Sequence, residues 1–346
     1  MITRESEPPN LEMPFGTLDG FITPTERFYV RCHFAIPQID GQSWRLSVEG
    51  AVERQVQISL DELRQLPVET ITATLECAGN GRVFLVPKVK GVQWELGAVG
   101  NAEWTGIRLR HVLERAGLTD AAAEVVLEGA DKGTIAEPPR PGGAIHFARS
   151  IPMAKAMNDV LLAWEMNGRP LTAAHGFPLR AVVPGWYGMA SVKWLQRIII
   201  IDQPFNGYYQ TVDYGFWQRG GSGPVLAPLT EMQAKAQIAQ PENHAAISAN
   251  GNCVVKGAAW SGEGAITKVE LSVDDGNSWR AVTLEGDPKV NAWRLWRFEW
   301  INPKRGKRRL LARATDSRGR VQPLERNADG GTYMIDHCLP IEIEVL

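Results

Sequence analysis

The sequence predicts an α+β protein in two domains, a mixed domain over residues 1–225 followed by an immunoglobulin-like antiparallel β-sandwich over 226–346. Three observations predict this. A chain of 346 residues is longer than one hydrophobic core usually serves. The breaker-rich run Gly220-Gly-Ser-Gly-Pro224 reads as a linker. Before that run, strand-like alternation mixes with helical spacing, whereas from about residue 245 short strands and turns follow one another.

Taken in order, residues 1–25 are rich in proline and polar side chains and read as an extended arm over the surface. Trp44 to Val48 alternates as a strand. Ser59-Leu-Asp-Glu62 is a capping box that opens a short helix with Leu60, Leu63 and Leu66 inward, ended by Pro67. Ile71, Ala73 and Leu75 alternate with threonines, the pattern of a half-buried strand, and the strand runs into Cys77. Ala78, Gly79 and Gly81 then form a loop whose backbone can approach a ligand, with Arg82 behind it. Residues 107–116 place Leu109, Val112, Leu113 and Ala116 on one helical face and leave His111 solvated. Val125 to Glu128 reads as a strand with Asp131 in the loop after it, and Glu137 to Gly143 is a breaker-rich loop. In the second half, Val269, Leu271 and Val273 alternate, Asp275-Gly276 makes a turn, and strands follow at Leu310–Thr315 and Ile341–Val345.

Composition narrows the function. Hydrophobic content of 44% and charged content of 22% are ordinary for a globular protein, and a net charge of −2 argues against nucleic acid or an anionic membrane as partner. No apolar run approaches a membrane span, and Ile198 to Ile201 is only part of a strand. Cys32, Cys77, Cys253 and Cys338 are far apart, without a zinc or haem spacing, so reduced thiols are the expectation. The chain reads as cytoplasmic, or periplasmic if a leader has been removed. Any affinity for anions has to come from locally clustered arginines.

Taken singly, Cys77 is more often a small core residue than a ligand, His33 a hydrogen-bonded strand histidine, Trp94 a core tryptophan and Tyr214 a buried phenol. Their neighbourhoods change that balance. Leu75-Glu-Cys-Ala-Gly-Asn-Gly-Arg82 resembles the molybdenum-ligand loop of the sulfite oxidase family, and further stretches similar to that family recur in order over roughly residues 25–346. They include Val30-Arg-Cys-His33, Leu161 to Gly168, His175-Gly-Phe-Pro-Leu-Arg180, Val182 to Gly185, Ser191-Val-Lys-Trp-Leu195, Asp213-Tyr214 and Asn291 to Trp296. Cys32 stands where an asparagine is usual and Ala190 where some members carry an arginine.

The resemblance implies a molybdopterin-binding domain with Cys77 as metal ligand, and His33, Asp131, His175, Arg180 and Lys193 as contacts to the cofactor. It implies that Arg31, Arg82 and Arg294 converge on the substrate, with Trp94 bordering the pocket and Tyr214 reaching the reacting centre. Guanidinium forks suit a small oxyanion, and a thiolate suits a sulfur-coordinated metal. The implied activity is oxidation of sulfite to sulfate by oxo transfer at a Cys-ligated molybdenum centre. Electrons would leave to an external acceptor, a cytochrome c-like protein or oxygen. The sandwich would make a homodimer. Glu76, beside the ligand, reads as strand-end polarity. The competing readings are a related enzyme acting on nitrate or an S-oxide, and a non-catalytic cofactor-bearing or adhesion module.

Overall fold

The computed structural model describes residues 1–221 and 223–346. The first half is built on two sheets. One carries the strands Arg169–Pro170, Leu161–Met166, Val99–Arg108 and Val68–Glu76 in that order, with Arg180–Val182 also pairing with Leu161–Met166. The other runs Val56–Ser59, Arg45–Gly50, Leu195–Ile201, Glu124–Gly133, Ile145–Pro152. Within it only the pairing of Leu195–Ile201 with Arg45–Gly50 is parallel. Leu46, Val48, Val125, Leu127, Ile198 and Ile200 from this sheet enter the main core.

Local signals act where they were expected. Ser59 caps the helix Leu60–Leu63: its hydroxyl accepts from the Glu62 N–H while the Glu62 carboxylate accepts from the Ser59 N–H. The helix Leu109–Ala116 buries Leu109, Val112, Leu113 and Ala116, the face its spacing marks. His111 is half-buried, 3.5 Å from the Glu114 carboxylate, rather than freely solvated.

The second half carries a four-stranded sheet, Lys235–Gln240, Asn252–Trp260, Arg294–Ile301, Thr283–Leu284. Facing it are five strands in the order Ala246–Ile247, Ile341–Val345, Gly306–Asp316, Ile266–Ser272, Arg280–Ala281. Alternate residues of both sheets (Val255, Trp296, Val269, Leu271, Leu310 and Ile343 among them) meet in one apolar core. Asp275 and Gly276 take φ of 60° and 84°, the left-handed pair that a tight turn after Ile266–Ser272 requires.

Three further expectations are corrected. The N-terminal residues are not a surface arm. Ile2–Glu5 pairs with Asn10–Glu12, Met13, Phe15 and Leu18 enter the main core, and the buried Glu12 carboxylate accepts the N–H groups of Glu95 and Gly97 at 3.1 and 2.8 Å. The run Gly220 to Pro224 is not a linker between separate bodies: it closes a hairpin of Gly215–Gly220 and Gly223–Pro228, with Ser222 outside the described residues. Glycine pairs serve hairpins as readily as linkers. Moreover, the main core continues across this point through Leu229, Met232, Trp260 and Trp293.

The third correction concerns the strand Val68–Glu76, which is half-buried only at its start and fully buried from Ala73 onward, threonine side included. The reason is a cover from the second half. Thr74 donates its N–H to the Asn291 carbonyl at 2.8 Å, and its hydroxyl accepts the Trp293 N–H at 2.7 Å while bonding the Asn101 side chain at 2.9 Å. Thr74→Val would leave the Trp293 N–H and the Asn101 amide oxygen unpaired out of water. The expected loss is about 1–3 kcal/mol, read as a lower melting temperature with faster hydrogen exchange at the Trp293 amide.

Candidate active site

Val68–Glu76 delivers Cys77 to the wall of a cleft containing about 650 Å³ of atom-free space, partly open to solvent. Backbone bonds fix the thiol's position: the Cys77 N–H donates to the Ala98 carbonyl at 2.9 Å, and its carbonyl accepts the Asn80 N–H at 2.8 Å. Gly81 takes φ +97°, a conformation that side chains rarely adopt. At Gly79 a Cβ would run into the Arg82 guanidinium, so the glycine leaves room for that buried cation.

Eight of the residues singled out in the sequence line this cleft: Arg31, His33, Cys77, Asp131, His175, Arg180, Lys193 and Tyr214. His33 Nε2 lies 2.7 Å from the Tyr214 hydroxyl, and its ring stacks on Phe147 with centroids 4.3 Å apart. Burial first, then the charges of Arg31, Lys193 and Arg149, hold the His33 imidazole well below its ordinary value, so the ring is neutral. His175 is pushed down to about 3, by burial and then by Lys193 and Arg180; its Nε2 meets the Thr25 carbonyl at 3.1 Å. Burial raises the Tyr214 phenol, so it stays protonated.

The cations of the cleft have no acidic partner at salt-bridge distance among the described residues. Arg180 donates to the carbonyls of His175 and Ser191, each at 3.1 Å, and Lys193 to the carbonyl of Ala174 at 2.9 Å and the sulfur of Cys32 at 3.3 Å. Arg31 bonds the Cys32 carbonyl. Burial lowers Arg180 to about 10 and lowers Lys193 as well. For Arg31 burial acts in the same sense, but the negative charge that Tyr214, Cys77, Tyr333 and Asp213 can carry outweighs it and leaves the group above its ordinary value.

Asp131 is not in a loop. It sits within Glu124–Gly133 where the register with Ile145–Pro152 shifts, a bulge that re-aims a side chain. Its Oδ1 is buried without a hydrogen-bond partner among the described residues, and burial, opposed by Lys193 and Arg31, pushes the carboxyl up to about 7.

Three expected site residues lie away from the cleft's lining. Arg294 does not reach back to it: its guanidinium donates to the carbonyls of Glu285, Ile266 and Gly286 inside the second half. Its neighbour Trp293, just before the strand Arg294–Ile301, faces the first half instead, donating its indole N–H to the Phe21 carbonyl at 2.8 Å. Trp94 is fully buried, its indole N–H unpaired among the described residues. Arg82 is buried behind the Cys77 loop, donating to the carbonyls of Thr332 and Val92 at 3.0 and 2.8 Å and lying 5.0 Å from the centre of the Tyr333 ring. Cys32 is also outside the lining; it packs with Val30 and Trp194. Glu76 is no exposed strand end but a buried ion-pair partner of Lys235 at 2.8 Å.

Two neighbours of the cleft went unnoticed in the sequence. Arg149 is wholly buried, donates to the carbonyls of Tyr209 and Leu229, and lies 6.0 Å from the Tyr214 ring centre. Phe147, Arg149 and Ile151 share one buried strand face, so a charge at an inward register position was the available signal. Tyr333 donates to Asp213 at 2.7 Å and packs on Tyr214 with centroids 4.9 Å apart. It belongs to an irregular segment with no period to read.

Residues 33–209 match the model of the oxidoreductase molybdopterin binding domain, and 227–330 that of the Mo-co oxidoreductase dimerisation domain. The sulfite oxidase of Arabidopsis thaliana is 34% identical over 92% of this chain and 86% of its own length. The chain belongs to the sulfite oxidase family of molybdopterin-dependent oxidoreductases. The mitochondrial sulfite oxidase of Mus musculus is 40% identical over 91% of this chain; the match covers 60% of the mouse protein's length. The crystal structure of the sulfane dehydrogenase SoxCD from Paracoccus pantotrophus superimposes with a TM-score of 0.84 at 30% identity, over 98% of this chain and 85% of that one.

The cleft of this sulfite oxidase family member suits the family's cofactor. It offers one thiol, cations paired only with neutral groups, and an orphaned buried carboxyl oxygen. Among the described residues no group of three His, Cys, Asp or Glu could hold a metal alone, so a metal on Cys77 needs further ligands from a cofactor. No helix among the described residues is long and apolar enough to cross a membrane, and all four cysteines are free.

The orphaned carboxyl has a measurable consequence in cofactor-free protein. Asp131 ionises more readily unfolded, near 3.8, than folded, near 7, so its ionisation drains stability as pH rises through that window. Asp131→Asn is therefore expected to stabilise the protein increasingly from pH 4 to 7, by at most about 1.4 kcal/mol per pH unit, and to level off above. Melting temperatures measured across pH check the slope.

Proposed function

We propose that this chain oxidises sulfite to sulfate, using water and releasing two protons and two electrons to an external acceptor, a cytochrome c-like protein or oxygen. The observation that carries the reading is the convergence of Arg31, Cys77 and Tyr214 on one cleft whose cations lack acidic partners. Molybdopterin, when bound, supplies the redox-active metal on which oxygen transfer takes place. Cys77 would hold that metal, while Arg180, Lys193, His175, His33 and Asp131 would hold the pterin and its phosphate. Arg31 draws the oxyanion out of water by charge-assisted hydrogen bonding. The His33 ring, neutral and stacked on Phe147, fixes the direction of the Tyr214 hydroxyl, and the phenol keeps its proton through the working pH range. Arg82 and Arg149 add positive charge from behind the lining, and Trp94 acts by packing.

We assign residues 1–225 to the cofactor-binding domain and 226–346 to an immunoglobulin-like dimerisation domain. Two facing sheets and the dimerisation-domain match over 227–330 support a homodimer. Free thiols suit a reducing compartment such as the cytoplasm.

A second reading, action on another reduced sulfur compound, draws on the sulfane dehydrogenase match and on Arg294 lying away from the cleft. Sulfite-dependent reduction of cytochrome c or ferricyanide, on protein of confirmed molybdenum content, separates the two. Sulfate formed one-for-one supports sulfite as the substrate, and a loaded protein that ignores sulfite moves the assignment to the second reading. Arg31→Met is expected to lower kcat/KM for sulfite about 10- to 100-fold. Arg294→Met is expected to leave it within about twofold, because that side chain caps carbonyls elsewhere.

A further inference from the structure

The chain residue before Cys77 enters a network that the proposed chemistry does not use. Glu76 Oε1 accepts from Lys235 Nζ at 2.8 Å and from the Asn80 side-chain amide at 3.2 Å, while Oε2 accepts from the Trp260 indole N–H at 2.8 Å. Lys235 Nζ donates again, to the Asn80 carbonyl at 3.1 Å. The Asn80 side-chain oxygen takes the Ala98 N–H at 3.1 Å, and the Asn80 N–H closes onto the Cys77 carbonyl. Glu76, Asn80, Lys235 and Trp260 are each no more than 2% exposed.

Lys235 and Trp260 come from paired strands of the second half, Lys235–Gln240 and Asn252–Trp260. One ammonium from the second half of the chain therefore grips both ends of the Cys77 loop. A buried ion pair is a poor device for stability, because desolvation offsets its attraction and an apolar pair of equal volume serves as well. Fully satisfied, however, such a network holds its members in one arrangement. It also places a balanced pair of charges one residue from the thiol.

We propose that Lys235 and Glu76 are positioning residues for the metal centre, a cross-domain pair that orients the Cys77 loop and balances the charge felt by the metal on Cys77. This rests on the assignment of Cys77 as the ligand of the molybdenum cofactor, and not on sulfite being the substrate. Removing one partner leaves the other's charge buried beside the ligand. An extra negative charge disfavours electron uptake, and an extra positive charge favours it.

The test is the reduction potential of the metal in purified holoenzyme, followed by electron paramagnetic resonance during redox titration. Lys235→Met is expected to lower the potential, Glu76→Gln to raise it, and the double variant to return close to wild type. Lys235→Arg, which keeps the charge, is expected to stay close to wild type. Single-variant shifts of the same sign, or no shift, would overturn the proposal, since loosened packing alone has no reason to give opposite signs. For variants or wild-type protein that purify without molybdenum, hydrogen exchange on the cofactor-free chain decides. Lost protection in Lys235→Met confined to residues 77–82 and the Ala98 amide supports the pair as a loop clamp, and protection equal to wild type overturns it. Wild type without molybdenum would count against Cys77 as ligand, a separate failure from either exchange result.

Discussion

Positive charge held out of water without acidic partners is the constraint on which this site is built. Arg31, Arg180 and Lys193 line the cleft, and Arg82 and Arg149 are buried behind it, bonded chiefly to backbone carbonyls. Carbonyl dipoles satisfy donors but do not cancel charge, so each cation carries a residual desolvation cost. Anionic ligands relieve that cost only in the folded state, which links occupancy of the cleft to stability. The same burial keeps His33 and His175 neutral and Tyr214 protonated, so the lining has defined donors and acceptors at working pH.

The second half of the chain is part of this arrangement. Asn291 and Trp293 cover the strand that carries Cys77, Lys235 and Trp260 grip the loop after it, and Tyr333 lies against Arg82 and Tyr214. The main core runs without a break through Leu229, Met232 and Trp260. A loop that presents a side chain to a cleft is held within narrow tolerances only when it is tied to more than its own strand. Here the restraint comes from residues more than 150 positions away in sequence.

Much of the local structure was legible from the residues. The capping box at Ser59, the apolar face of Leu109–Ala116, the turn at Asp275-Gly276 and the strand leading to Cys77 all follow from short-range rules of spacing and hydrogen bonding. Motif resemblance likewise located the residues that line the cleft, since Arg31, His33, Cys77 and Tyr214 lie in or beside recognisable runs. What misled was local reading of positions with long-range partners. Gly220 to Pro224 has linker composition but closes a hairpin, and the first residues look like an arm but fill the core.

The secondary structure around Cys77, the family and the chemical types available to the cleft are all legible in contiguous residues. Which charges share the cleft depends on packing between distant segments. That packing turned Arg294 toward the carbonyls of its own half and Arg149 toward Tyr214, and paired Glu76 with Lys235. The physical reason is that side-chain direction in a strand is set by which face its neighbours bury. A buried charge, in turn, takes the partners that packing brings to it, and neither is encoded within a window of a few residues.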